Sequence, residues 1–92
     1  MKKIIMFHGQ ECPHCRVMHP IVDQLIAEGY DIVKLEVWHN EDNAMKMREY
    51  AKIIAAASGG DLSVPTFLDE AEGRAVCGEM SYKELKQWIN EE

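Results

Sequence analysis

The chain has 92 residues, of which 47% are hydrophobic and 28% charged, a composition typical of one globular domain with no room for a second core. The net charge of −6 comes from acidic residues spread along the chain, so we expect neither nucleic acid nor an anionic membrane surface as a partner. No apolar run is long enough to span a bilayer, and the opening MKKIIMFHG turns polar too soon for a secretory signal. We therefore expect a single domain, residues 1–92, in the cytoplasm.

The first elements in the chain are a predicted strand and a predicted helix. The apolar run Lys3–Phe7 is typical of a buried strand. A helix is predicted from near Cys12 to Gly29, because apolar residues then recur at spacings of three and four. Its apolar stripe consists of Val17, Met18, Ile21, Val22, Leu25 and Ile26. Pro20 lies inside this helix and is expected to kink it.

A second strand and a second helix follow. In the segment Asp31–Trp38, hydrophobic residues at positions 33, 35 and 37 alternate with mostly polar ones at positions 32, 34 and 36. This two-residue period predicts a strand. Asn40 or Asp42 can cap the next helix, which is expected to end at Ser58. The stripe of this helix consists of Ala44, Met47, Ala51, Ile54 and Ala55.

The last third of the chain predicts a hairpin and a final helix. Residues 63–70, SVPTFLDE, and residues 74–77, RAVC, read as strands joined by a turn. Ser81 is the predicted cap of the last helix, with Glu84 completing a capping box. The buried residues of this helix are predicted to be Leu85, Trp88 and Ile89. The order β-α-β-α-β-β-α predicts an α/β fold in which a four-stranded mixed sheet has helices on both faces.

The motif Cys12-Pro13-His14-Cys15 is the candidate functional site. Cys12 falls at the predicted helix N-terminus, where unpaired N–H groups and the helix dipole stabilise a thiolate, and Pro13 suits the first helical position. Cys15 lies one turn later, beneath Cys12, within the range that a disulfide allows. Cys12 is thus predicted to attack a substrate disulfide and Cys15 to resolve the mixed disulfide. His14 would stabilise the thiolate, whereas the neighbouring carboxylate of Glu11 would oppose it.

Other interpretations of the motif remain open at this point. Three cysteines exclude a fully paired disulfide scaffold. A zinc clip requires four ligands, so Cys77 and a histidine would have to complete the set. The same two cysteines could instead hold Cu(I), zinc or an iron–sulfur cluster shared between two chains. A chance CxxC, or a redox-silent domain used for protein contacts, is the least specific interpretation.

Beyond the dithiol, the sequence resembles the thioredoxin superfamily. The resemblance is carried by Cys12-x-x-Cys15, by Pro20 five residues after it, by the strand before it, by Val64-Pro65-Thr66 and by Val76-Cys77-Gly78 before an amphipathic last helix. It covers nearly the whole chain, and the length resembles the shorter, glutaredoxin-like form. It implies a thioredoxin-like fold and thiol–disulfide oxidoreductase activity. The Cys12–Cys15 disulfide would be the redox centre, with no metal and no other cofactor.

The resemblance also implies a substrate-binding wall and a set of partners. In the family, the proline that matches Pro65 is cis and faces the dithiol, and the preceding residue, here Val64, offers its backbone to the substrate chain. Thr66 and Gly78 adjoin this wall and are assigned to substrate binding with it. The expected partners are disulfide-containing proteins or small thiols, together with a reductase or a thiol reductant. We expect a monomer.

Residues within and around the motif tune these expectations. Pro13 and His14 are assigned to redox tuning, since Cys-Pro-His-Cys is also the motif of the strongly oxidising bacterial periplasmic disulfide oxidase. Met6 stands where thioredoxins carry a buried aspartate. The segment at residues 77–81 lacks the paired acids with which glutaredoxins hold glutathione, apart from an offset Glu79, which argues against glutathione-dependent activity. Cys77 is expected to be a buried structural cysteine.

Overall fold

The structure is a computed structural model that describes residues 2–91. In chain order its elements are β1 (Lys3–His8), α1 (Pro13–Ala27), β2 (Asp31–Glu36), α2 (Glu41–Glu49), α3 (Ala51–Ser58), β3 (Thr66–Asp69), β4 (Arg74–Cys77) and α4 (Tyr82–Asn90). Asn40 caps α2 through a hydrogen bond from the N–H of Asn43. The order of strands and helices matches the predicted order with one difference. Two helices, α2 and α3, follow the second strand, where the sequence predicted one.

The break between α2 and α3 lies at Tyr50. Its backbone leaves helical geometry, at φ −106° and ψ 22°, and its N–H turns to the carbonyl of Met47. The Tyr50 hydroxyl donates to the carboxylate of Glu70, 2.5 Å away, beyond the end of β3. Met47 of α2 and Ile54 of α3, on either side of this break, both pack in the same apolar cluster.

The four strands form one mixed sheet in the order β2-β1-β3-β4. β1 pairs in parallel with β2, which places His8 beside Glu36 at the carboxyl ends of both strands. β3 pairs antiparallel with β1 on its other side, and β4 completes a hairpin with β3. Since successive residues of a strand point to opposite faces, each face of this sheet carries its own apolar cluster.

The larger cluster packs under α1 and α4, and the smaller one under α2 and α3. The buried residues of the first are Ile4, Met6, Met18, Val22, Leu25, Ile32, Phe67, Leu85 and Ile89. Those of the second are Ile5, Phe7, Met47, Ile54 and Leu68. The predicted placement of helices on both faces of a four-stranded mixed sheet is therefore confirmed.

Several side chains predicted to be buried are not. Val17 and Ile26 are 50% and 39% exposed, because α1 buries a narrower stripe, and the two residues lie on its flanks. Cys77 is only partly buried. β2 ends at Glu36 rather than Trp38, whose indole lies outside the core at 51% exposure. Pro65 precedes β3, which begins at Thr66.

The last helix begins as predicted. The Ser81 hydroxyl accepts from the N–H of Glu84 at 3.1 Å, and the Glu84 carboxylate accepts from the N–H of Ser81 at 3.0 Å. This capping box satisfies N–H groups that a helix start otherwise leaves unpaired. Trp88 is partly buried, with the Arg74 guanidinium 4.5 Å from its ring centroid. Within residues 2–91, no helix combines the length and the apolar character that crossing a membrane requires.

Candidate functional site, a dithiol at the start of α1

Cys12 lies in the turn that joins β1 to α1. Its N–H donates to the carbonyl of Gly9 at 3.1 Å, which closes the turn. Cys12 is the N-cap residue of α1, with extended backbone angles, and Pro13 follows in the first turn. The Cys12 sulfur accepts a hydrogen bond from the N–H of Cys15 at 3.2 Å. A sulfur in this position satisfies one of the unpaired donors of the helix and lies at the positive end of its dipole.

The two thiols occupy different environments. Both sulfurs are buried, with Cys15 fully buried and Cys12 3% exposed. Burial and a hydrogen bond with Cys12 raise the pKa of the Cys15 thiol above its usual range. Cys15 is therefore a protonated thiol at neutral pH. Cys12 and Cys15 are both free thiols in this structure.

The wall predicted from the resemblance lies against the dithiol. The Cys12 thiol donates to the carbonyl of Val64 at 3.8 Å, and the Val64–Pro65 peptide bond is cis. The carbonyl of Pro65 accepts from the N–H of Gly78 at 2.9 Å, which ties the start of β3 to the loop after β4. The Thr66 hydroxyl donates back to the carbonyl of Ser63. The structure thus brings Val64, Pro65, Thr66 and Gly78 together on one side of Cys12.

His14 reaches across this side of the site. Its Nδ1 contacts the carboxylate of Glu79, which lies in the loop between β4 and α4, and both side chains are exposed. The contact joins the first turn of α1 to the loop that carries Gly78. Glu79, the offset acid in the segment at residues 77–81, is therefore held by a side chain of the same chain.

A second imidazole–carboxylate contact lies on the opposite side of Cys12. His39, in the loop after β2, contacts both carboxylate oxygens of Glu11, at 2.7 and 2.8 Å. The hydrogen bond with Glu11 and the attraction of its charge raise the pKa of His39. The same loop places the indole of Trp38 over Gly9, where a Cβ atom would lie only 2.3 to 2.6 Å from three ring atoms. Sequence reasoning missed both contacts, since His39 and Trp38 belong to no motif.

His8, at the end of β1, and His19, in α1, form a histidine pair. The rings of His8 and His19 meet edge to face, with centroids 4.9 Å apart. Burial lowers the pKa of both, and for His8 the proximity of His19 lowers it further. Nδ1 of His8 is buried without a hydrogen-bond partner. The sequence gives no signal for this pairing except that both residues flank the dithiol motif.

Cys77 does not join the dithiol in a ligand set. It packs against the cluster under α2 and α3, and its sulfur lies 3.2 Å from the Thr66 hydroxyl. In the described part of the chain, no three His, Cys, Asp or Glu side chains come close enough to hold a metal ion. The four-ligand zinc clip considered from the sequence is not assembled by these residues.

Comparison with known proteins supports the fold assignment. No protein-family model and no curated protein sequence matches the chain. Among solved structures, a glutaredoxin from Archaeoglobus fulgidus matches with a TM-score of 0.62 at 22% identity, over 99% of this chain and 89% of that one. The holo form of glutaredoxin C1 from Populus tremula x tremuloides matches at 0.54 and 19%, over 96% and 70%. Thioredoxin NaTrxh from Nicotiana alata matches at 0.54 and 24%, over 97% and 72%. The chain has the fold shared by glutaredoxins and thioredoxins, as the sequence predicted.

Proposed function

We propose that the protein is a thiol–disulfide oxidoreductase whose redox centre is the Cys12–Cys15 pair. The observation that carries the proposal is the asymmetry of the two thiols. The Cys12 sulfur caps a helix and accepts an N–H, whereas Cys15 lies buried beneath it as a protonated thiol. Since the thiolate is the attacking species, this arrangement favours Cys12 as the nucleophile and Cys15 as the resolving thiol.

The reaction runs through two exchanges. The Cys12 thiolate attacks one sulfur of the substrate disulfide, that S–S bond breaks, and the other substrate sulfur leaves and takes up a proton. Cys15 then loses its proton and attacks the Cys12 sulfur, which releases the second substrate thiol and forms the Cys12–Cys15 disulfide. Two electrons pass from the protein to the substrate. A reductase or a small thiol returns them, and no organic cofactor or metal takes part.

The side of the site next to Val64 is the proposed place for the substrate. The Val64 carbonyl already lies beside the Cys12 sulfur, so an extended segment that pairs with this backbone would bring its disulfide to the nucleophile. The paired acids with which glutaredoxins hold glutathione are absent from residues 77–81, which favours a protein disulfide or a small thiol other than glutathione as the substrate. Pro13 and His14 adjust the redox potential in this proposal, and the setting is the cytoplasm.

A trapping experiment tests the assignment of roles. In a Cys77→Ser background, Cys15→Ser protein is mixed with an excess of a disulfide that joins two separate peptide chains, so that the leaving thiol departs, and the products are analysed by mass after alkylation. We expect a mixed disulfide to accumulate on Cys12, because the second exchange is blocked. The matched variant Cys12→Ser, with Cys15 intact, is expected to form none. Equal adducts in the two variants, or none in either, would contradict the proposal.

A further inference from the structure

Glu36 connects the two loops that meet beside Cys12. It is the last residue of β2, next to His8 at the end of β1. One carboxylate oxygen accepts from the N–H of Gln10 at 2.9 Å and from the N–H of Trp38 at 3.1 Å. The other accepts from the N–H of His39 at 2.7 Å. A single side chain therefore holds the loop before the nucleophile and the loop after β2.

The Glu36 carboxylate is suited to this position as an anion. Partial desolvation would raise its pKa, but the N–H groups of His39, Gln10 and Trp38 lower it, and the net direction is downward. The carboxylate is ionised at neutral pH, and hydrogen bonds to an ionised acceptor are stronger than those between neutral groups. The Glu36 carbonyl also accepts from the side-chain amide of Asn43, so its backbone is fixed from α2.

A short chain of contacts leads from Glu36 to the reactive sulfur. Gln10 lies two residues before Cys12, within the turn that the bond from the Cys12 N–H to the Gly9 carbonyl closes. Where this turn lies determines whether the Cys12 sulfur meets the N–H of Cys15. Trp38, whose backbone N–H donates to the same carboxylate, covers Gly9 with its indole.

We propose that Glu36 is the positioning residue of the nucleophile, acting through the backbone of residues 9–12 and touching neither substrate nor sulfur itself. The proposal rests on the proposed function for the chemistry of Cys12, but the placement of Cys12 can be measured separately. Loss of Glu36 releases the turn, so Cys12 meets Cys15 less often, which disfavours the disulfide. The Cys12 sulfur also loses the N–H that stabilises the thiolate, and this destabilisation of the reduced form offsets only part of the first effect. Both the disulfide equilibrium and the reactivity of Cys12 then change.

The test compares Glu36→Ala and Glu36→Gln in a Cys77→Ser background. The first removes all three acceptor contacts, and the second keeps one acceptor oxygen. In a glutathione redox buffer, we expect the equilibrium constant for the Cys12–Cys15 disulfide to fall about tenfold in Glu36→Ala, and by a smaller factor in Glu36→Gln. The pH–rate profile of Cys12 alkylation by iodoacetamide should move to higher pH in the same order. If Glu36 acted only as a nearby negative charge, its removal would move the profile to lower pH.

Glu70→Gln is the matched control. Glu70 accepts a hydrogen bond from Tyr50 and lies just after Asp69, which pairs with Ile4 at the opposite end of β1 from His8. The Glu70→Gln substitution should alter the midpoint of urea unfolding. It should change neither the Cys12–Cys15 disulfide equilibrium nor the pH–rate profile of Cys12 alkylation. Unchanged values of both in Glu36→Ala, or a profile moved to lower pH, would overturn the positioning role. If the parent protein forms no Cys12–Cys15 disulfide, the proposed function fails, and the alkylation profile alone then decides the role of Glu36.

Discussion

The two sides of Cys12 are built differently. On the β2 flank, where residues 36–39 meet residues 9–11, three backbone N–H groups converge on Glu36, and the N–H of Val37 donates to the carbonyl of His8. On the β3 flank, which comprises residues 64–66 and 78–79, the contact to the sulfur is one 3.8 Å bond to the Val64 carbonyl. An exposed contact between His14 and Glu79 crosses this flank.

The two flanks of the Cys12 sulfur therefore differ in how strongly their contacts are held. Contacts on the β2 flank join three backbone N–H donors to one ionised carboxylate, and such charge-assisted hydrogen bonds are stronger than those between neutral groups. Those on the β3 flank are a weak sulfur contact and an exposed ion pair, which a substrate can replace at little cost. Under the function proposed above, the β2 flank would position Cys12, and the β3 flank would receive the substrate.

The largest expected effect is on the β2 flank, at Gly9. In Gly9→Ala, the new Cβ would overlap the Trp38 ring, so the indole or the turn must move. We expect a loss of about 1–3 kcal/mol in the free energy of unfolding, as for other overpacked sites. Urea unfolding followed by tryptophan fluorescence measures it. In a Trp38→Ala background the same substitution should cost much less, and an equal cost in both backgrounds would contradict the packing described for this flank.

The next effect is a dependence of stability on pH that arises from the pair formed by His8 and His19. His8 lies beside Glu36 of the β2 flank. The pKa of His8 and of His19 is lower in the folded chain than the ordinary 6.5, so the unfolded chain binds more protons at mildly acidic pH. Stability is thus fully present above pH 6.5 and falls as the pH drops below it, by at most about 1.4 kcal/mol per pH unit for each proton. Lys34 strengthens this trend for both rings, whereas Glu36 opposes it at His8 and Asp23 at His19.

Urea unfolding between pH 8 and pH 5 tests this dependence. His19→Gln should flatten the slope, because it removes one titrating ring and its repulsion of His8. His39 has a raised pKa and contributes in the opposite direction, so His39→Gln is the informative control and should steepen the slope. A slope that His19→Gln leaves unchanged would show that the pair does not control the acid response.

The smallest expected effect is on the β3 flank, at the contact between His14 and Glu79. Exposed pairs of this kind contribute about 0–1 kcal/mol, so Glu79→Gln should hardly change the free energy of unfolding. Glu36→Gln, the same chemical change on the other flank, should cost more. Urea midpoints of the two variants give the comparison directly. A greater loss in Glu79→Gln than in Glu36→Gln would reverse the roles assigned to the two flanks.

Structural features that depend on residues close together in the sequence could be predicted. The cysteine cap of α1, the capping box at Ser81 and the hairpin between β3 and β4 all depend on residues a few positions apart. Their geometry follows from local turn and helix chemistry, which a single sequence displays. The resemblance then supplied the wall at Val64, which spacing alone could not.

Contacts between residues far apart in the sequence could not be predicted, because they form only in the packed fold. Gln10 and Glu36 are 26 residues apart, and Glu11 and His39 are 28 apart, so their contacts exist only once β1 and β2 are paired in register. The hydrogen bond from Tyr50 to Glu70, at the break between α2 and α3, likewise joins residues that are 20 apart in the sequence. In the sequence, each of these residues resembles an ordinary surface polar group.

The equilibrium between the Cys12–Cys15 dithiol and its disulfide tests the central claim most directly. Protein carrying Cys77→Ser is equilibrated in glutathione redox buffers of graded potential, and the disulfide is quantified by mass after alkylation. The account predicts one two-electron transition of this pair, at a potential between about −270 mV, typical of a thioredoxin, and about −120 mV, typical of a strong oxidant. If Cys12 and Cys15 form no disulfide with each other at any potential, the oxidoreductase account is contradicted.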